Sequence, residues 1–265
     1  MTRGLGSLEA QFFAYVQMRR LQVVGTTQIA KALGLSPAQE RKLLSRLARA
    51  RLIARVRRGL YLVPSRLPLG GSWSPDEILA LTTLVADRGG RYQICGPNTF
   101  NRYGFDEQVP TRVYAYNNRI SGQRTVGSVQ LSLIKVADAR LGGTEDVRAD
   151  GLVVMYSSRA RALVDAVYDW ARFNTLPRAY TWIRRELARR RVTHRAIVDM
   201  TLRFGDVGTI RRIGVLLEQE GLDARLRGRL LKALPRSTGL IPWIPGRAKR
   251  GRIDRRWGVV VNGRA

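Results

Sequence analysis

The side chains best suited to chemistry in this sequence share one face of a helix that is predicted to begin after Ser36. At about 100° per residue, five polar residues without an acid among them fall on one side: Gln39, Lys42, Ser45, Arg46 and Arg49. Arginine and lysine can donate to guanine edges, and glutamine can pair with adenine, in a major groove about 12 Å wide. Leu43, Leu44 and Leu47 lie opposite. A solvated helix would normally mix acids and bases, so the pattern favours a helix that reads duplex DNA.

Three more arginines follow in an alternating segment, Ile53 to Val63, that turns near Gly59. The alternation predicts two short antiparallel strands. Arg55, Arg57 and Arg58 would then project from a β-wing, where arginines ordinarily contact phosphates or the minor groove. A purely structural hairpin is the alternative interpretation.

The charge of the whole chain also favours an anionic partner. The 265 residues include 47 Lys and Arg against 20 Asp and Glu, a net charge of +27. A field of this strength attracts polyanions. Five later arginines are candidates for contact with phosphate or with a partner: Arg184, Arg185, Arg189, Arg211 and Arg212. DNA, RNA or an acidic protein would suit them equally.

Catalysis finds little support in the sequence. The chain has one cysteine, Cys95, and one histidine, His194, which argues against a cysteine-based zinc site and against Ser-His-Asp chemistry. Asp165 and Asp169 are four residues apart on a predicted helix and could share a metal, but helix-surface acids near arginines are the simpler interpretation. We therefore predict a protein that is not an enzyme, with no catalytic residue, no metal site and no cofactor.

The elements that must position the polar face form a predicted winged helix-turn-helix over residues 1–68. Ser36-Pro37-Ala38-Gln39 combines an N-cap, a proline at the first helical position and a capping box. Helix, helix, turn, helix and hairpin is the order of that fold. The predicted elements are a helix from Leu8 to Arg20 capped by Ser7, a helix from Gln28 to Leu33 capped by Thr26 or Thr27 and ended by Gly34, a helix from Pro37 to about Leu52, and the hairpin.

A second, larger mixed domain is predicted over residues 69–265, after a linker of Pro, Gly and Ser from Pro64 to Ser74. Strands followed by a run of helices give the chain an α+β class with a helical C-terminal part. The predicted helices are Ser74 (as cap) to Asp87, Pro97–Tyr103, Ser158–Trp170, Pro177–Arg190, Thr193–Phe204, Val207–Glu220 and Ala224–Leu234; the strands are Tyr92–Cys95, Arg112–Tyr116, Val129–Val136, Leu152–Met155 and Arg256–Val261.

The same sequence predicts a cytoplasmic protein. No window approaches 18 consecutive apolar residues, so we expect no membrane span. Met1-Thr2-Arg3-Gly4 leads into an amphipathic helix without the apolar region of a signal peptide.

Several phrases resemble the AbiEi antitoxins of bacterial abortive-infection toxin–antitoxin systems. The wing phrase from Arg58 to Pro64 is similar to that family's basic-Gly-x-Tyr wing. Gly96-Pro97-Asn98-Thr99-Phe100 and the closing strand from Arg256 to Asn262 also look like the family. The Arg-rich helical middle, about 177 to 236, has no motif-for-motif match.

The resemblance implies an autorepressor that binds its operator through the winged helix. It also implies a larger domain that counters a nucleotidyltransferase-like toxin in the type IV fashion, without a stable complex. Helix-turn-helix proteins pair half-sites across a two-fold axis, and like charges repel. We therefore expect a monomer in solution and a cooperative pair on an inverted repeat.

Three other functions compete with this interpretation. A winged-helix regulator with a ligand-sensing domain would respond to a metabolite. A DNA-targeted nuclease or modification enzyme would turn over with metal through particular carboxylates. An RNA- or ribosome-associated basic protein would prefer RNA to duplex DNA at equal salt.

Overall fold

A computed structural model describes residues 5–67, 72–149, 152–236 and 239–263. The chain divides into two compact units: unit 1 is residues 1–92 and 111–136, and unit 2 is residues 93–110 and 137–265. The predicted winged-helix domain of residues 1–68 lies in unit 1, which extends well beyond it. The boundary at residue 68 stays a prediction. Residues 1–4, at the predicted N-terminus, and 68–71, within the predicted linker, lie outside the described residues.

Helices and strands are mixed along the chain, and a run of strands is followed by a run of helices, in agreement with the predicted α+β class. The helices are α1 Ser7–Met18, α2 Gln28–Leu33, α3 Pro37–Arg49, α4 Glu77–Ala86, α5 Pro97–Arg102, α6 Arg159–Tyr168, α7 Trp170–Phe173, α8 Arg178–Ala188, α9 His194–Phe204, α10 Val207–Gln219 and α11 Ala224–Lys232. The strands are β1 Val23–Gly25, β2 Ala54–Arg57, β3 Leu60–Leu62, β4 Tyr92–Ile94, β5 Val113–Asn117, β6 Gly122–Val126, β7 Val129–Lys135, β8 Thr144–Ala149, β9 Leu152–Ser157, β10 Ile241–Pro242, β11 Arg252–Asp254 and β12 Val259–Val261.

Unit 1 begins with the predicted winged helix-turn-helix, from α1 to β3. Its wing is the antiparallel pair β2 and β3, and β1 joins on the other side of β3. The turn between the wing strands needs glycine because Gly59 has φ +84°. The core below consists of apolar side chains from α1, α3 and the wing, including Phe12, Phe13, Leu44 and Leu47. The apolar face of the predicted helix is therefore the face that is buried.

Caps set the direction of α3. The Ser36 hydroxyl accepts a hydrogen bond from Gln39 N at 3.2 Å, and the Gln39 side chain accepts one from Ser36 N at 2.8 Å. This reciprocal pair satisfies two backbone donors that the first turn leaves unpaired. Gly34 adopts the left-handed conformation, φ +63°, that ends α2. The predicted capping box and the predicted end of α2 are both confirmed.

Some predicted helix ends differ in the structure. Ser7 is the first residue of α1, and Gly6 is its N-cap. The helix α3 stops at Arg49, short of Leu52, and Arg51 then has φ +56°. Asp76, not Ser74, caps α4, because its carboxylate accepts from Ile78 N and Leu79 N. The capping residue must directly precede the first helical residue, and Ser74 lies too far upstream.

The rest of unit 1 is α4 and three paired strands. β7 pairs with β5 in parallel and with β6 in antiparallel orientation. The wing strand β2 contacts both α4 and β6, so the wing rests on this part of unit 1. β6 was not predicted, because four of its five residues are exposed and it lacks an apolar alternation.

Unit 2 combines the β8–β9 hairpin with a helical body. β9 pairs with β8 in antiparallel orientation, and β4 pairs with β9 in parallel. The helices α6, α8, α9 and α10 form the main core, in which α6 is buried along most of its length. A small C-terminal sheet, in the order β10-β12-β11, packs Trp257 into the same core. Of these strands, β8, β10 and β11 were not predicted.

Candidate nucleic-acid interface

All five predicted recognition residues are exposed on α3: Gln39, Lys42, Ser45, Arg46 and Arg49. The buried Leu43, Leu44 and Leu47 fix the rotation of the helix about its axis, since each has at most 1% of its surface exposed. The polar face is therefore presented outward by packing on the opposite side.

A cavity of about 610 Å³ lies between α3 and the wing. It brings together predicted residues from both elements: Ser45 and Arg49 of α3, and Arg55 and Arg58 of the wing. It also includes Arg41, which the sequence analysis missed. The signal was available, because Arg41 stands one helical turn before Ser45 and two before Arg49. Gln39, Lys42, Arg46 and Arg57 do not line this cavity.

Arg46 is held by an acid of α1. Its Nε lies 2.7 Å from Oε1 of Glu9, whose other oxygen accepts a hydrogen bond from Gly6 N at 3.0 Å. The Arg46 side chain remains about half exposed, at 47%. One edge of its guanidinium is thus occupied, and the remaining donors are those available to a ligand.

Arg57 does not line the cavity but forms a bidentate salt bridge with Asp87, at the C-terminal end of α4. Its Nε donates to Asp87 Oδ2 at 2.7 Å, its Nη2 lies 2.5 Å from Asp87 Oδ1, and its Nη1 donates to the Arg58 carbonyl at 2.8 Å. The hydrogen bond from Arg57 holds the pKa of the Asp87 carboxyl below its usual value. Arg57 therefore ties the wing to α4, a role that its predicted contact with phosphate did not include.

Glu40 joins the two helices of the helix-turn-helix. Its carboxylate, only 1% exposed, accepts hydrogen bonds from Thr27 N and Ala30 N, both at 2.9 Å. These amides belong to the first turn of α2, where a negative charge is favoured. Glu40 thus lies among the buried residues of α3 and fixes α2 against α3.

The acids of unit 1 are few and mostly committed. They are Glu9, Glu40, Asp76, Glu77 and Asp87. Glu9 and Asp87 pair with arginines, Glu40 binds backbone amides, and Asp76 caps α4. Within the described residues, no carboxylate lies at ion-pair distance from five cations around the cavity and α3: Arg41, Lys42, Arg49, Arg55 and Arg58. Their charge is left for an external anion.

The predicted contacts in unit 2 are placed very differently from one another. Arg211 is only 3% exposed and donates to the Trp257, Gly239 and Gly258 carbonyls. Arg212 donates to the Pro242 carbonyl at 3.3 Å, and burial lowers the pKa of both guanidiniums. Arg211 is therefore buried and Arg212 half-buried, and both hold the C-terminal segment; their contact with phosphate or a partner stays a prediction.

The other three arginines lie nearer the surface. Arg184 bonds Glu220 at 2.8 Å and Gln219 at 2.7 Å, and Arg185 donates to the Gly104 carbonyl at 2.7 Å. Arg189 is exposed, and no ion pair joins it to any residue in the described part of the chain. Of the predicted set, Arg189 is the one best placed for a partner.

Asp165 and Asp169 do not form a shared site on a helix surface. Asp165 is fully buried, with Arg161 Nε 2.8 Å from Oδ1 and 2.9 Å from Oδ2. Asp169 lies 3.6 Å from Arg172 instead. Among the residues described, no three His, Cys, Asp or Glu side chains come close enough together to hold a metal ion.

Comparisons with known proteins concern the fold of the chain and its N-terminal region. The chain aligns with the crystal structure of the RV2827C protein from Mycobacterium tuberculosis at a TM-score of 0.61, with 15% identity, over 97% of this chain and 92% of that one. At such identity the likeness concerns the fold alone. No curated protein matches the chain. Within the described residues, the helices are too short or too polar to cross a membrane. The model of the family of AbiEi antitoxin transcriptional regulators matches residues 14–64, a stretch that includes the helix-turn-helix and the wing.

Proposed function

We propose that this protein is a DNA-binding antitoxin that represses its own toxin–antitoxin operon through the winged helix. The observation that carries the proposal is the cationic cavity between α3 and the wing. Arg41, Arg49, Arg55 and Arg58 converge there, while the nearby Glu40 is buried and bound to amides. Such an arrangement suits a phosphate backbone entering beside a base-reading helix.

Within this proposal the residues divide into three groups. Base edges are contacted by Gln39, Lys42, Ser45 and Arg49. Arg46 also contacts them, through the guanidinium N–H groups that do not bind Glu9. Arg41, Arg55 and Arg58 contact phosphates, and these contacts make binding strongly dependent on salt. Arg57 acts indirectly: its salt bridge with Asp87 holds the wing against α4.

The proposed assembly is a monomer in solution and a cooperative pair on an inverted repeat. The net charge of +27 opposes a free dimer, and phosphate relieves that repulsion. Sedimentation of the free protein, and titration of DNA with one or two half-sites, would test this. A tight dimer without DNA, or independent binding to the two half-sites, would refute it.

The antitoxic part of the proposal concerns unit 2. It would neutralise a nucleotidyltransferase-like toxin without a stable complex, with the exposed Arg189 as its first candidate residue. Co-expression with the toxin encoded in the same operon should restore growth, and Arg189→Ala should weaken that rescue while leaving repression intact. Rescue that survives in the Arg189 variant would remove this residue from the antitoxic surface.

The experiment for DNA binding is a mobility-shift titration with the promoter of the protein's own operon. We expect tight, sequence-dependent binding that Arg49→Ala weakens. Arg195→Ala, which removes an 80% exposed charge from unit 2, is the matched control. Equal affinity for promoter and unrelated duplex would contradict operator recognition, and tighter binding to RNA at equal salt would favour an RNA-associated protein instead.

A further inference from the structure

Three arginines of unit 1 gather around the turn that follows α4, outside the cavity described above. Arg57 reaches this turn from the wing, Arg88 belongs to it, and Arg119 reaches it from the loop between β5 and β6. Together with Asp87 they form what we call the α4-end patch. All three arginines are exposed.

The patch keeps a positive excess because its one carboxylate is already used. Arg57 occupies both oxygens of Asp87, at 2.7 and 2.5 Å. Arg88 Nε lies farther off, 3.8 Å from Asp87 Oδ2, and its side chain is 62% exposed. An exposed pair at that distance contributes little. The charges of Arg88 and Arg119 are therefore left for another anion.

Arg119 is held in place by its surroundings. Its Nε donates to the Gly89 carbonyl at 3.3 Å, and a Cβ placed on Gly90 would come within 2.8 Å of Arg119 Cγ. The backbone of its loop is fixed by Asn117, whose side-chain oxygen accepts from Arg119 N at 2.9 Å and from Ile120 N at 2.6 Å. The guanidinium thus loses little freedom when it binds an anion.

We propose that the α4-end patch is a second phosphate-contacting surface, which binds duplex DNA flanking the half-site on the wing side. The proposal rests on the proposed function and extends it. Its basis is continuity: Arg58, at the tip of the wing, lines the cavity, and its neighbour Arg57 joins the same hairpin to the patch. Duplex DNA carries a charge every 1.7 Å or so along its axis and can follow such a line of cations. A short acidic peptide lacks the extended, regular charge that would span both the wing and the patch.

The test uses the full chain and two duplexes, one limited to the half-site and one extended by about a helical turn and a half on the wing side. The variant Arg88→Gln/Arg119→Gln keeps the side-chain stem that lies over Gly90 and removes both charges. Arg88→Lys/Arg119→Lys is the control that keeps the charges. The quantity measured is the slope of log K against log salt on each duplex.

We expect wild type to have a steeper slope on the extended duplex, and the glutamine variant to lose about 1.8 of it there at about 0.9 per phosphate contact. On the short duplex the variant should match wild type, and the lysine control should match it on both. Equal slopes for variant and wild type on the extended duplex, or equal losses on both duplexes, would overturn the proposal. If wild type binds all duplexes with equal affinity, the proposed function fails. If wild type recognises the operator but the glutamine variant has the wild-type slope on both duplexes, the proposed function stands and the second phosphate-contacting surface is refuted.

Discussion

Arg57 and Arg58 are adjacent in the wing, but the structure predicts different effects for their removal. Arg58 lines the cavity and has no carboxylate partner in the described chain. Arg57 is bound to both oxygens of Asp87. We expect Arg58→Ala to weaken the salt dependence of DNA binding on a half-site duplex. Arg57→Ala should leave that salt dependence nearly unchanged and lower the affinity at every salt concentration, because it exposes the Asp87 carboxylate and releases the wing.

The magnitude follows from the three cations that the proposed function places on phosphates, Arg41, Arg55 and Arg58. If each meets one phosphate, the slope of log K against log salt is about −2.7, and loss of Arg58 brings it to about −1.8. Between 50 and 200 mM salt the affinity of wild type should then fall about 40-fold, and that of the Arg58 variant about 12-fold.

Fluorescence anisotropy with a labelled half-site duplex, titrated at several KCl concentrations, measures both slopes. The double variant Arg57→Ala/Asp87→Ala is the control for the exposed carboxylate and should recover part of the affinity lost in Arg57→Ala. An unchanged slope for Arg58→Ala would show that the wing tip meets no phosphate. A slope for Arg57→Ala as shallow as that of Arg58→Ala would show that Arg57 leaves Asp87 and contacts phosphate when DNA is bound.

Four further predictions concern recognition and stability. Arg49→Ala should cost about 1–3 kcal/mol of operator binding and relax the base preference at one position, which a selection from randomised duplexes would detect; an unaltered preference would contradict the role. Arg161→Met removes the guanidinium bonded to both oxygens of the buried Asp165, leaving, among the described residues, only Arg140 at 3.8 Å and the Ser157 hydroxyl at 3.5 Å, and should destabilise the fold by about 3–5 kcal/mol. Arg161→Met/Asp165→Leu should recover much of this; equal urea midpoints for the two variants would refute that pairing. Burial opposes ionisation of Glu218, but hydrogen bonds from a tryptophan and an arginine prevail and hold its pKa below the usual value of a glutamate; its stabilisation is therefore present above the unfolded-state pKa and is lost as the pH falls through the lower folded-state pKa, so the difference in stability between wild type and Glu218→Gln should shrink as acid is added. Deletion of residues 1–68 should abolish operator recognition. It should also lower the thermal midpoint of the remainder, because β2 contacts α4 and β6; an unchanged midpoint would favour a boundary at 68.

The parts of the fold that the sequence predicts well are those fixed by near neighbours. Ser36 and Gln39 are three residues apart, and Gly34 ends α2 by its own backbone conformation. The apolar side of α3 can be predicted because leucines recur at helical spacing. Burial of that side leaves the opposite, polar side exposed to solvent. The helix α3, its outward polar face and the hairpin that follows it could therefore be located from the sequence.

The features that the sequence could not supply depend on distant pairs. Glu9 and Arg46 are 37 positions apart, and Arg57 and Asp87 are 30 apart, so nothing local indicates that either arginine has a partner. Arg211 looked like one charge in an Arg-rich run, but carbonyls 28 to 47 residues away surround it. Strands such as β6 were missed for another reason. They are exposed and polar, and pairing with a neighbour holds them in place without an apolar stripe.

These pairings determine which cations of unit 1 can bind an external anion. The net charge alone does not show this. Four of its five acids have a structural role, since two hold arginines, one binds the amides of α2, and one caps α4. The first two acids neutralise the arginines they bind, and the other two are occupied by backbone amides, so the described cations that line the cavity are left without a counterion. The cavity between α3 and the wing is where arginines accumulate and where, among the described residues, no available carboxylate remains. An acid introduced there, such as Ser45→Glu, should therefore reduce DNA binding far more than the same change at an exposed site of unit 2, although both alter the net charge equally.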